Sequence, residues 1–140
     1  MLGCALAKEP RPAYPTRSVV IAREQDAIAE VHFEPIGEPE AVLRSLLGVV
    51  CAAQTRGLPF EYEVARPYAD ALVGKPGGNS EHARRDAKRA FDAEFGPHAD
   101  PYIRLLYPSF DELIRDDGPL GFVALTATVL GPFLQHRSRA

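Results

Sequence analysis

The 140-residue chain is most informative at first through what it has little of. Only two cysteines are present, Cys4 and Cys51, far apart and without metal-ligand neighbours, which excludes a disulfide framework and reads as reduced thiols in a cytoplasmic protein. No apolar run approaches the ~20 residues that cross a bilayer, and the apolar start (residues 1–7) is too short for a secretory h-region and lacks its basic flank. The expectation is a cytoplasmic chain with no membrane contact. A surplus of basic charge is missing too: 16 Lys and Arg against 19 Asp and Glu leave a net charge of −3, so any contact with nucleic acid must come from a local patch. Internal repeats and low-complexity segments are absent. What remains is 46% apolar content, enough for one ordinary core, and 13 prolines that punctuate the chain between elements.

Chemical signatures are equally sparse. There is no Gly-x-Ser-x-Gly elbow, no zinc spacing of Cys and His and no dinucleotide glycine fingerprint, so the sequence implies no cofactor and no metal. The glycine cluster at residues 74–78 contains Lys75 but lacks the Gly-Lys-Ser/Thr ending and the preceding buried strand of a phosphate loop. A metal-dependent nuclease needs two or three carboxylates and a lysine converging on one site. Asp111-Glu112 and Asp116-Asp117 instead flank a turn with no Glu-x-Lys after them, and read as helix-start acids. His32 alternates away from Val31 and Phe33 and reads as a surface or edge residue. Cys51 falls on an apolar helical stripe and reads as a small buried hydrophobe. No catalytic residue is assigned, and the purified chain with Mg²⁺ and linear DNA is expected to show no cleavage.

The elements follow from periodicity and punctuation. Residues 1–7 resemble the remnant of a helix running into Pro10, Pro12 and Pro15. Two strands are expected over Thr16–Ala22 and Glu30–Ile36, joined by a loop longer than a tight hairpin. Gly37 to Glu40 then opens a helix with Pro39 in its first turn, carrying Val42, Leu43, Leu46, Leu47, Val50 and Cys51 as its apolar stripe. A second helix is placed over Val64–Val73 with its onset at Pro67. A third, capped by Asn79 or Ser80, runs to Phe95 with Ala83, Ala87, Ala90, Phe91 and Phe95 inward. Asp100 caps a short helix from Pro101 that stops before Pro108, with Tyr102, Leu105 and Leu106 forming a plug. Phe122, Leu125, Val129 and Phe133 make a last helical stripe.

Arg84, Arg85, Lys88 and Arg89 are the one basic cluster. They are candidate contacts for DNA or an acidic partner, set against a solvated helix face in which Glu81 pairs with Arg85 and Asp92 pairs with Arg85 or Lys88.

The order of these signals resembles the carboxyl-terminal end of the gamma chain of bacterial exodeoxyribonuclease V, the RecC family. The resemblance is carried by Leu43–Leu47, Arg56-Gly57-Leu58-Pro59-Phe60, Tyr68-Ala69, Ala83–Phe95 and the stretch from Asp100-Pro101-Tyr102 through Arg104-Leu105 to Tyr107. It continues in Phe122-Val123-Ala124-Leu125 and Gly131-Pro132-Phe133-Leu134, and covers nearly the whole chain. It implies an α+β fold, an incomplete restriction-endonuclease-like domain that has lost its active site: one domain or a carboxyl-terminal fragment, with residues 1–36 holding the helix remnant and two strands and residues 37–140 mainly helical. It also implies the beta and alpha chains of the heterotrimer as partners, DNA reached through the complex, and a role in recombinational repair. A full gamma chain is several times longer. The alternative is a stand-alone protein-binding adaptor or minor nuclease-like domain.

Overall fold

A computed structural model describes residues 17–24, 27–73, 79–115 and 118–139. The expectations for residues 1–7 and for the clusters at 74–78 and 116–117 lie outside them. The chain is a mixed α+β domain of six helices and a three-stranded antiparallel sheet.

β1 (Ser18–Glu24) and β2 (Ala27–Phe33) form a hairpin whose register runs without a bulge from Ser18 opposite Phe33 to Glu24 opposite Ala27. The ladder thus closes to within two residues of sequence, where a longer loop was expected. Polarity alone does not end a strand: backbone pairing continues through Arg23 opposite Ile28 and Glu24 opposite Ala27. β2 stops at Phe33 because Pro35 has no N–H to add to the ladder; Ile36 leaves the strand and is buried beyond it. A third strand, β3 (Arg137–Arg139), pairs with β2 at Val31, His32 and Phe33 and was not expected. The Glu34 N–H donates to the His136 carbonyl and continues that seam.

α1 (Pro39–Ala53) begins with Pro39 in its first turn, as expected, yet buries none of its residues fully. Val42, Leu43, Leu46 and Val49 are half-covered where α1 lies along the last helix, while Leu47, Val50 and Cys51 face outward. Cys51 is exposed, against expectation: it lies with Leu47 and Val50 on the uncovered side of the stripe.

α2 (Tyr62–Val73) starts five residues before Pro67 and contains it. The lost N–H at Pro67 falls in the second turn, and Val64 and Ala65, both at 0% exposure, anchor the first turn in the core. α3 (Ser80–Phe91) is capped by Asn79, whose side chain accepts from the Glu81 N–H at 2.8 Å. Ala83, Ala87 and Phe91 are buried at intervals of four along it. The helix ends at Phe91, four residues short of the expected end, and Phe95 is 95% exposed instead of inward. The chain turns back over the helix end, with the Gly96 N–H donating to the Ala93 carbonyl, and this turn carries Phe95 off the helical register. Gly96 sits so close that an added Cβ would lie 2.4 Å from the Ala90 carbonyl oxygen.

After a 3-10 turn at Pro97–Ala99, α4 (Pro101–Leu106) is capped by Asp100, which accepts from the Tyr102 N–H at 2.7 Å. Its inward side is Ile103 with the following Tyr107; Tyr102, Leu105 and Leu106 are 77%, 81% and 65% exposed and form no plug. Residues 103 and 107 sit one turn apart, so the contact ridge is theirs and the expected residues fall on the far side. α5 (Phe110–Leu113), capped by Ser109, and α6 (Phe122–Gln135) complete the chain. α6 buries Phe122, Leu125, Thr126 and Leu134; Phe133 is half-exposed and leans on Phe33 with ring centroids 4.9 Å apart.

The core lies between α2, α3, α5 and α6. Tyr68 meets Phe122 edge-on at 5.4 Å, Phe91 meets Phe110 at 6.0 Å, and Val64, Ala65, Ala83, Ala87 and Leu113 fill the space between. The alanines on α2 and α3 let those helices approach closely, and the large aromatics of α5 and α6 cap the pair.

Candidate functional site

The spacing that buries Ala83, Ala87 and Phe91 on α3 turns Arg84, Arg85, Lys88 and Arg89 outward, and all four are exposed. The structure separates them chemically. Arg84 reaches across to α5, where Nη2 donates to Asp111 Oδ1 at 2.7 Å and the guanidinium lies 6.0 Å from the Phe110 ring centroid. Arg84 thus fastens α5 to α3. Arg85 stands 4.0 Å from the neighbouring Asp86, in place of the expected pair with Glu81. Lys88 and Arg89 make no ion pair among the described residues, and they sit in the last turn of α3, where the carbonyl end of the helix favours cations. The available positive charge of the cluster is therefore concentrated at Lys88 and Arg89. Both Arg84–Asp111 and Arg85–Asp86 are solvent-exposed, and pairs of that kind contribute about 0–1 kcal/mol.

Asp111 and Glu112 occupy the first turn of α5, as helix-start acids do, and each is engaged by an arginine, Arg84 and Arg115 respectively. His32 is half-buried in β2 with Nε2 3.5 Å from the Glu30 carboxylate, an ion-pair separation without hydrogen-bond geometry. Among the described residues no three of His, Cys, Asp and Glu converge as a metal site, and no helix is long and apolar enough to cross a membrane.

A second feature was not anticipated. Between the inner face of the hairpin and the helices α2 and α6 lies an open groove of about 460 Å³. Val20, Val31, Phe33, Leu130, Phe133 and Leu134 make its apolar walls, and Ser18, Tyr62, Arg66 and Arg137 supply its polar groups. Arg137 is brought in by β3: its Nη2 donates to Asp70 at 3.2 Å and its guanidinium lies 5.9 Å from the Phe133 ring centroid. Arg66, one helical turn before Asp70, shares the same carboxylate at 3.8 Å. Two guanidiniums thus share one acid, and none of the described residues that line the groove carries a carboxylate. Only the Arg66–Asp70 spacing could have been seen in the sequence; the strand that adds Arg137 gave no signal.

Comparison with protein-family models, with curated proteins and with solved structures gave no match.

Proposed function

We propose that this chain is a non-catalytic carboxyl-terminal part of the gamma subunit of a RecBCD-type helicase–nuclease, a protein-interaction domain acting in recombinational repair of DNA double-strand breaks. The finer fold reading, an incomplete restriction-endonuclease-like domain without its active site, belongs to the same proposal. The order of sequence signals from Leu43 to Leu134 supplies the family. The observation that supports an interaction role is the apolar surface left outside the core: Leu47 and Val50 on α1, beside exposed Cys51, and Tyr102, Leu105 and Leu106 on α4. Burying a large apolar side chain against a partner gains about 1.5–3 kcal/mol, so two such faces favour association with other chains. Lys88 and Arg89, at the end of α3 and without an ion pair among the described residues, are the residues that would meet DNA or an acidic partner surface within the complex.

The test is co-expression with the beta and alpha chains of exodeoxyribonuclease V, followed by affinity capture and size-exclusion chromatography. Co-elution with both chains, lost in the double variant Leu47→Asp, Val50→Asp, is the expected result; both positions are more than half exposed, so that variant keeps the fold. Elution apart from both chains as a clean, cooperatively unfolding monomer would overturn the reading and favour a stand-alone adaptor. Replacing Lys88 and Arg89 by Gln reads the second contact: salt dependence of DNA binding by the complex is expected to flatten by about one unit of slope per lost phosphate contact.

A further inference from the structure

The groove and the edge of β1 away from β2 form one surface. With strand order β1-β2-β3, the outer edge of β1 has no partner among the described residues, and its backbone donors and acceptors there stand ready for another strand. Proteins commonly blunt such an edge with lysine, proline or a bulge. The run Ser18-Val19-Val20-Ile21-Ala22 contains neither residue, and its register with β2 has no bulge. Val19, Val20 and Ile21 are 52%, 49% and 68% exposed. Ser18 and Val20 face the groove, so a strand laid along β1 would send alternate side chains into the same apolar trough that Phe33 and Phe133 line. The polar lining of that trough is cationic, with Arg66 and Arg137 sharing Asp70 as their carboxylate among the described residues.

We propose that β1 and the groove bind an extended segment of a partner protein by strand addition, the segment being apolar at alternate positions and carrying one carboxylate side chain for Arg66 and Arg137. Main-chain hydrogen bonds to β1 supply affinity, the apolar trough selects alternate side chains, and the two guanidiniums select the acid. This surface is separate from α1, α4 and the basic end of α3, and the inference stands whether or not the repair reading does.

The probe is a fluorescein-labelled, blocked peptide with valine at alternate positions, threonine between them and one central glutamate, titrated by polarisation against the full chain. Three comparisons decide the matter: the glutamine counterpart of the peptide, a peptide with proline at its centre, and the protein variant Arg66→Gln. Arg66 is exposed, so its replacement spares the fold. Binding of the glutamate peptide is expected, weakened about tenfold by the loss of either the carboxylate or Arg66 and abolished by the proline. Amide hydrogen exchange of the β1 residues whose N–H groups point away from β2 is expected to be fast in the free chain and slowed by the peptide. Equal affinity for the glutamate and glutamine peptides, or no binding at all, overturns the proposal. So does slow exchange of those outward-pointing amides in the free chain: concentration dependence would then identify a second copy as the occupant, and its absence would identify the chain's own residues.

Discussion

Replacing Gly96 by alanine tests how the chain leaves α3, the point at which the helix ends and Phe95 is lost from the core. The new methyl carbon would stand 2.4 Å from the Ala90 carbonyl oxygen, 3.0 Å from that of Phe91 and 3.1 Å from that of Ala93. All three neighbours are backbone, and two belong to the last turn of α3, so none can swing aside as the tip of a side chain would. The φ of Gly96 is −79°, an ordinary value, and the cost is steric rather than conformational. Relief requires the turn at residues 92–96 to back away from the helix end. That movement pulls on buried Pro97 and on His98, whose ring lies 5.4 Å from Phe91. Overpacking of this kind costs about 1–3 kcal/mol. With an unfolding entropy of about 2.1 cal/mol/K per residue over a chain of this length, each kcal/mol moves Tm by roughly 3–4 °C, so the expected fall is about 3–10 °C. Gly48→Ala is the matched control. Gly48 lies within α1 with nothing inside 4 Å of the added methyl, so there the same substitution relieves helix entropy and raises stability by about 0.5–1 kcal/mol. Urea melts with m-values and thermal melts by circular dichroism read both variants. A Gly96→Ala protein as stable as the parent, or two variants shifting in the same direction, would refute the close approach of the turn to the helix end.

Three further outcomes follow from single groups. Burial pushes the Tyr107 phenol above its usual value of 10.0, so the folded chain keeps a proton that the unfolded chain releases; stability is untouched below about pH 10 and falls as pH rises beyond it. Tyr107→Phe should flatten that alkaline loss in urea melts taken across pH, and an unchanged slope would sink the assignment. Thr126 is 2% exposed and its Oγ1 has no partner, so Thr126→Val should be neutral or stabilise by up to about 1 kcal/mol, and a clear loss of stability would mean that the hydroxyl is bonded. Asp100→Ala removes the acceptor for the Tyr102 and Ile103 amides and should cost about 1 kcal/mol, with Asp100→Asn recovering most of it; equal melts for both variants would show that the cap contributes nothing.

The features legible in the sequence were those whose cause is local. Asn79 and Asp100 cap helices through bonds that span two or three residues, and Pro39 and Pro101 start helices by the absence of their own N–H, so these starts can be read without knowing what the helices touch. Which side of a helix is covered is not a local property. The stripe on α1 holds apolar residues over nearly half its circumference, and periodicity places that stripe without saying which edge of it meets α6. Val42, Leu43, Leu46 and Val49 are half-covered; Leu47, Val50 and Cys51 are exposed. The same ambiguity turned α4 over. Pro67 misled in the opposite sense: its local rule favours a helix start, but burial of Val64 and Ala65 outweighs one missing hydrogen bond.

The basic cluster and the groove differ in the same way. Arg84, Arg85, Lys88 and Arg89 were visible because one helix carries them all, yet the engagement of Arg84 depends on Asp111, which arrives with α5 beyond a 3-10 turn and the whole of α4. The groove was invisible because its chemistry is assembled from β1, α2, α6 and β3, and β3 is three residues long with its pairing partners at the other end of the sequence. Without β3, Arg66 and Asp70 are an ordinary pair one helical turn apart. With it, Arg137 competes for the same carboxylate from a mostly buried position over Phe133, and two guanidiniums to one described carboxylate line an apolar trough beside a strand edge unpaired among the described residues. A short terminal strand thus converts a routine helix pair into the most chemically distinctive surface of the described chain, and it does so through a contact that no local sequence pattern encodes.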